Sequence, residues 1–498
     1  MGDLLKRTHI SAISIALRGI ICPLLLCSAT LFGMSAQDSL YKQRCEALDL
    51  PILYIVTQDS VMPTYTVIEP PPGCDGLGIT DNEKLPARMV IVLANDTIYD
   101  SGEYKKDTSG LTIKVRGNTT AAADSVTGKK PYKLKLQQKK DLLFRDNESV
   151  YADKDWVLLR IGICMTMVGN MANRAMGMDW TPEQQPVFVF LNDDFRGLYL
   201  LSENIKRNTK CRVNISKTGY LFEFDAYWWN SEYFLESQYR YNYTLKYPDL
   251  KDTVPEQIEY LTNHIQTVEA YYNTPDVLDS VIDIPSYARW LWVHDIIGSK
   301  DGCGSNMFLI KNDETTDSKQ AMICTWDFDG SFAQKAQWSS VHNRWWFKDF
   351  FDLPQRQFVK EYIRMYDAMV PEVFDSLVNE IDTLIAAPLM VTLDSAFVLE
   401  SRRWKNEKPA HTQFQKLADY LTARKPVIDS LINEIKDDYV DVETSLPQEV
   451  HFAPRKECQA PQEYSAYDIL GRPVSQARRG EIIIIRGNDG SVKKTYVK

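Results

Sequence analysis

Apolar and polar positions alternate in short runs through residues 50–115, in "PILYIVT", "TYTVIEP", "ARMVIVLAND" and "LTIKVRG", with Pro, Gly or Asn-Asp breaks between them. A period of two broken by turn residues predicts half-buried strands. The pattern continues in "KKPYKLKLQ", where Tyr132, Leu134 and Leu136 fall on one face and Lys133 and Lys135 on the other. Further on, "QPVFVFLNDDFRGLYLLSENI" sets two β-prone runs around Asn192-Asp193-Asp194, which predicts a hairpin. Between these stretches, the mixed spacing and Met-rich composition of "WVLLRIGICMTMVGNMANRAMGMDW" predict a buried helix.

From Pro255 the period lengthens to that of helices, in "PEQIEYLTNHIQTVEAYY", "SYARWLWVHDIIG", "RWWFKDFFDLPQRQFVKEYIRMYDAMV" and "YLTARKPVIDSLINEIKDDY". Asp283 followed by Pro285 is a capped start for the second of them. Trp345, Trp346, Phe347, Phe350 and Phe351 share a helical spacing and read as core. The fold class is therefore α+β, a largely β first half carrying one helix and a mainly α second half. The α half is interrupted by a strand-like stretch ending in "CTWDFDG" at 324–330. After Asp438 a Pro- and Glu-containing linker, 438–463, leads to a last unit, 464–498, whose alternation and turns predict a small β module.

The N-terminus changes the picture of location. Lys6, Arg7 and Arg18 precede "GIICPLLLCSATLFGMSA", an apolar run closed by small residues and too short for a membrane span. Residues 1–36 thus read as a secretory signal, and no later segment has spanning length, so no membrane span is expected once it is removed. Its loss would take the formal net charge from −10 to −12, since three basic residues and Asp3 leave with it. An acidic chain argues against a nucleic-acid partner. Of nine cysteines, seven lie beyond residue 36 at irregular spacing, which is no disulfide framework; Cys45 with Cys74, or Cys303 with Cys324, are the candidate bridges. No Cys/His grouping suits a structural zinc.

Phosphoryl transfer from a nucleotide needs cations on the phosphates, acids or an Asn on Mg²⁺, and a carboxylate near the acceptor hydroxyl. Asp301-Gly-Cys-Gly-Ser-Asn306 has the D-x-x-x-x-N spacing of a kinase catalytic loop and follows a predicted helix directly. Asp327-Phe328-Asp329-Gly330 then ends a strand-like run, where a metal-binding acid would stand. Taken singly, Asp301 reads equally as a turn residue, Asp327 and Asp329 as caps, and the two lysines as a solvated strand face. Their order along the chain sets them apart from those readings. A β half with inward lysines before an α half with acids at its mouth is the bilobal architecture that protein kinases use.

These pieces resemble the spore-coat protein H (CotH) kinase-like family, through "KVRGNTT" at 114–120, "KKPYKLKL" at 129–136, "DKDWVLL" at 153–159, "LNDDFRGLYLLSENI" at 191–205, "GYLFEFD" at 219–225, "CTWDFDGSFA" at 324–333 and "SRRWKNE" at 401–407. The resemblance implies an atypical bilobal protein-kinase-like fold with a domain over 116–437, behind a β-rich segment at 37–115. It also implies an ATP- and Mg²⁺-dependent kinase acting on secreted or surface proteins. Residue by residue, Asp301 looks like the catalytic acid, Asn306, Asp327 and Asp329 the metal-binding set, and Lys135, with Lys133 as second choice, the phosphate lysine. Arg116 would lie near the nucleotide, and Glu203 near the hinge or the lysine.

The chain also departs from that pattern. No GxGxxG precedes the lysine strand, no acid occurs between Trp156 and Asp179, and Ser299-Lys300 stands where kinases have His-Arg. A non-catalytic surface adhesion or coat protein is therefore the competing expectation. The last 35 residues, through "YDILGRPV" and "GEIIIIRG", resemble a Bacteroidetes-type C-terminal sorting module, which implies type IX export to the cell surface or medium.

Overall fold

The strand Tyr132–Lys140 shows how the first half folds: Tyr132, Leu134 and Leu136 are at most 1% exposed and point into a barrel, while Lys133 and Lys135 point out of it. The computed structural model describes residues 34–439, except 81–82, 123–127, 303, 353–354 and 406–407, together with three short C-terminal strands. The signal-like residues 1–33, Cys303, residues 440–465 that cover most of the expected linker, and much of the last unit lie outside the described residues.

Seven strands hydrogen-bond in the order Ile52–Thr57, Gln184–Leu191, Asp194–Glu203, Asp153–Leu159, Tyr132–Lys140, Leu111–Val115 and Leu85–Leu93. Leu85–Leu93 then returns to pair antiparallel with Ile52–Thr57, closing the barrel. Asp96–Asp100 extends it as a hairpin on Leu85–Leu93. The sequence led to a β-rich lobe of kinase type; the sheet found is a closed seven-stranded barrel, and strands from before and after residue 115 share it. Closure depends on a parallel pairing of Ile52–Ile55 with Phe188–Leu191, partners over 130 residues apart that leave no local signature. The interior is packed by Leu53, Met89, Ile113, Leu134, Trp156, Val189 and Leu201, all buried. Truncating any of the aliphatic ones to Ala would cost about 2–5 kcal/mol.

The Asn192-Asp193 turn has both residues at positive φ, 52° and 62°, as a two-residue hairpin with right-handed strand twist requires. A second, four-stranded antiparallel sheet orders Asn242–Tyr247, Tyr220–Asp225, Met307–Lys311 and Gln320–Met322. A small apolar cluster that includes Val157 of the barrel, Leu221, Phe308, Ile323 and Trp326 joins the outer barrel wall to this sheet.

The predicted buried helix forms at Ile163–Ala175 and packs against the helices Ile284–Ile297, Val370–Ala386 and Ala410–Asp438. Helix Ile284–Ile297 starts as its sequence suggests: the Asp283 carboxylate accepts from the Ser286 N–H at 2.7 Å, and Pro285 follows. It ends where Gly298 turns into the left-handed region at φ 56°. Trp346, Phe347 and Phe350 are buried in the same helical core.

Asp295 of that helix is fully buried and ties down the segment after residue 330. Its Oδ1 accepts from the Ser339 N–H at 2.9 Å, and its Oδ2 meets His342 Nδ1 at 2.9 Å and the Tyr362 hydroxyl at 2.7 Å. Arg424, 1% exposed, donates to the Asp295 and Gln337 carbonyls. Cys45, Cys74 and Cys324 are free thiols, so the Cys45–Cys74 bridge considered from sequence is not formed. No single helix among the described residues is long and apolar enough to cross a membrane. Near the C-terminus, Ala466–Tyr467, Ile482–Arg486 and Val492–Tyr496 form a three-stranded antiparallel sheet.

Candidate active site

Two chain segments carry the acids, and the backbone fastens them together. After the Gly298 cap, the Lys300 N–H donates to the Gly330 carbonyl at 3.0 Å. Gly330 must lack a side chain, because a Cβ there would lie 2.5 Å from the Asp301 Cβ. Asp301 is thus seated directly against the end of the Asp327-Phe328-Asp329 turn. Asp327 and Asn306 both hold φ at 65°, a left-handed conformation that Asp and Asn tolerate and that concentrates at functional sites.

The turn is held from behind by helix Ile163–Ala175. Phe328, 2% exposed, lies against Gly169, where any side chain would overlap its ring. Asn173 grips the segment between the strand Gln320–Met322 and the turn, its Oδ1 accepting from the Thr325 N–H at 3.1 Å and from Oγ1 at 2.7 Å, and its Nδ2 donating to the Thr325 carbonyl at 3.0 Å. This amide clamp stands on the helix that the sequence shows to be free of acids. Trp290 Nε1 adds a bond to the Cys324 carbonyl at 3.0 Å.

The three carboxylates feel one another's charge. Burial pushes the Asp327 carboxyl up to about 7, and Asp329, which hydrogen-bonds it, and Asp301 push the same way, while Arg116 opposes them. Solvent reaches Asp327 from the cleft mouth, yet the protein around it removes enough water to disfavour its charge. Asp301 is also raised, by partial burial and by Asp329, with Arg344 and Lys300 as counter-charges.

Across the cleft stand the cations. Burial lowers Arg116, which sits between the charges of Asp327 and Glu223. Lys133 is lowered by burial and by Arg116 and Lys135, and its nearest acid is Asp155 at 4.0 Å. Lys114, paired in register with Lys133, is pushed down to about 8 by burial and by that neighbour.

The structure therefore brings Asp301, Asp327, Asp329 and Arg116 together, while Lys133 stands beside Arg116 with Asp155 as its acidic neighbour. Lys135 lies one pair further along the strand, exposed and opposite Asp155. Glu203 is engaged elsewhere: its Oε1 pairs with Arg145 at 2.8 Å and its Oε2 accepts from the Glu183 N–H at 3.1 Å. Asn306 sits at the second sheet, its N–H donating to Glu223 Oε1 at 2.9 Å.

Several residues of this region have no motif to announce them. Glu223, raised by burial, and Asp225 share Lys246 at 2.8 and 3.6 Å and so anchor the Asn306 loop. The signal that could have exposed them is two acids at alternate positions of an otherwise apolar strand, "YLFEFD". Asp155 in "DKDW" could have been found in the same way.

Among the described residues no three His, Cys, Asp or Glu side chains form a ready metal cage. The donor set suits Mg²⁺ nonetheless, because that ion takes one or two carboxylates and completes its shell with water and phosphate. Asp327 and Asp329 are such a pair, and a dication would relieve their repulsion.

No curated protein matches this chain at a significant level. A family model described as CotH kinase protein matches residues 113–428, from the strand Leu111–Val115 into the long helix Ala410–Asp438. That span is well over half of the chain and contains every site residue named above, so this kinase-like protein belongs to the CotH kinase family.

Proposed function

We propose that the chain is an exported, Mg-ATP-dependent kinase that transfers the γ-phosphoryl group to Ser or Thr of secreted or surface proteins. The observation that carries this reading is one cleft in which Asp301, Asp327 and Asp329 repel one another while Arg116 faces Asp327, with Lys133 next to Arg116. A scaffold has no need of such a costly arrangement, whereas phosphoryl transfer requires both charges at once.

In this mechanism Asp327 and Asp329 would hold Mg²⁺, with Asn306 as a further donor, and the site would thereby supply charge neutralisation at the phosphates. Arg116 and Lys133 would bind the phosphates from the barrel side, with Lys135 as a further cation on the same strand face. Asp301, at the mouth, orients the acceptor hydroxyl. As its oxygen forms the new P–O bond to the γ-phosphorus, the bond to the ADP oxygen breaks and the hydroxyl proton passes to Asp301. The raised affinity of Asp301 for a proton suits that role. Support for export comes from the basic, then apolar, then small-residue order of residues 1–36.

One observation favours a second reading, a surface adhesion or coat protein without transferase activity: helix Ile163–Ala175 brings no acid to Lys133. Incubation of the purified chain with γ-labelled ATP, Mg²⁺ and a Ser-rich acceptor separates the two. Label incorporated by the wild type and lost in Asp301→Ala and Asp327→Ala supports the kinase; ATP binding without incorporation supports the second reading.

A further inference from the structure

Gln184, at the start of its barrel strand, is 8% exposed, and neither its Oε1 nor its Nε2 has a hydrogen-bond partner. A buried amide left in this state costs several kcal/mol unless something fills its valences, roughly 1–3 for each polar group. Its side chain lines the same cavity as Asp327, Asp329 and Arg116, together with Thr166 and Asn170 of the helix Ile163–Ala175. Thr166 and Asn170 are 7% and 2% exposed, so this part of the lining is polar as well as buried.

Size decides what the amide meets. The cavity holds about 50 Å³. On that measure a water needs about 10–15 Å³, so the cavity has room for several waters. A divalent cation on two carboxylates keeps several of its own waters, and these need acceptors on the side away from the phosphates.

We propose that Gln184 is a positioning residue for the cation: its Oε1 accepts a hydrogen bond from a water bound to the ion held by Asp327 and Asp329, and its Nε2 donates one to a neighbouring water or phosphate oxygen. The proposal rests on the cation site of the function proposed above. Gln184 never touches the metal; it fixes the orientation of the hydrated face, as partners that lie behind metal ligands do.

The test is Mn²⁺ binding by the whole chain, followed by electron paramagnetic resonance of the free ion, with and without a non-hydrolysable ATP analogue. Gln184→Leu is expected to weaken Mn²⁺ about 10–100-fold, the range for loss of such partners. Gln184→Glu, which keeps the shape and offers a stronger acceptor, is expected to hold Mn²⁺ at least as tightly as wild type, a rescue that a purely structural role would not produce. Thermal melts show that each variant is folded, and Gln184→Glu alone suffices if the leucine variant is not.

Unchanged Mn²⁺ affinity in a folded Gln184→Leu overturns the proposal and leaves a side chain satisfied by ordinary trapped water. Weakening by Gln184→Glu to the level of the leucine variant also overturns it. Loss of ATP affinity with Mn²⁺ and tripolyphosphate binding intact overturns it in favour of a base contact. Abolition of Mn²⁺ binding by Asp327→Asn in any of these cases keeps the cation site, whereas a wild type that binds no Mn²⁺ removes both.

Discussion

Phe328 fills the space that a side chain at position 169 would need, so the turn bearing Asp327 and Asp329 can seat only against a glycine. Gly169→Ala is expected to push the ring out of its seat. Overpacking of this kind costs about 1–3 kcal/mol, offset by up to about 1 kcal/mol from the better helix former. The larger effect falls on transfer, since displacing the acids by about 1 Å is worth about a hundredfold. Phe328→Leu in the same chain should restore part of the loss, and the double-mutant cycle of rates measures the coupling.

The two lysines of one strand should separate cleanly. Lys133 shares its surroundings with Arg116, while Lys135 stands exposed one pair away. A charged hydrogen bond to phosphate is worth about 1.5–3 kcal/mol, so Lys133→Met should lower kcat/KM by about 10–100-fold and Lys135→Met by about tenfold at most. Steady-state kinetics against ATP concentration checks the order, and equal losses would show that both lysines contact phosphate.

Asp327 should trade stability for function. Its folded-state pKa, about 7, lies above the ordinary value of 3.8, so the folded chain favours the protonated form. The stability due to that proton is complete below about pH 4 and is lost as pH rises through 7. Without metal, Asp327→Asn should match the wild-type melting temperature near pH 4 and exceed it at pH 8 by a few degrees, the scale on which about 1 kcal/mol appears. Thermal melts across that range in chelator decide the point, and the same variant should transfer no phosphate.

Asp153 carries the opposite sign. It is 1% exposed, and despite burial Arg212 and Lys206 hold its carboxyl down at about 2, against an ordinary value of 3.8. Its contribution is present above about pH 4 and disappears as pH falls through 2. At roughly 1.4 kcal/mol per unit, Asp153→Asn should destabilise the neutral chain by about 2–3 kcal/mol. Denaturant titrations should show that gap closing toward pH 2; a gap that persists there would mean that packing, not charge, is lost.

Local signals in the chain were readable where local chemistry decides the outcome. Asn192-Asp193 takes two positive φ angles and makes its hairpin, Asp283 caps its helix, and Tyr132, Leu134 and Leu136 separate from Lys133 and Lys135 by simple alternation. The spacing that singled out Asp301 sets it just past the end of helix Ile284–Ile297, whereas Asp327 stands five residues beyond the strand Gln320–Met322 and not at its end. Pairings between distant segments were not readable. Asn173 and Thr325 stand 152 residues apart, and Ile52–Ile55 lies beside Phe188–Leu191 with no turn to join them. Glu203 illustrates the same limit: its place at the end of a hairpin is legible, whereas its choice of Arg145 depends on a loop folding back over it.

The barrel's closure also governs how this protein meets copies of itself. Each of its seven strands has neighbours on both sides, so within it no row of N–H and C=O groups is left to recruit a stray strand. The appended strand Asp96–Asp100 presents the open side, and it is short and begins and ends in aspartate, with Asp100 bound to Arg88. Charge of one sign at both ends of that strand repels a second copy before its backbone can pair. The barrel thus carries its own protection against edge-to-edge strand pairing at high local concentration.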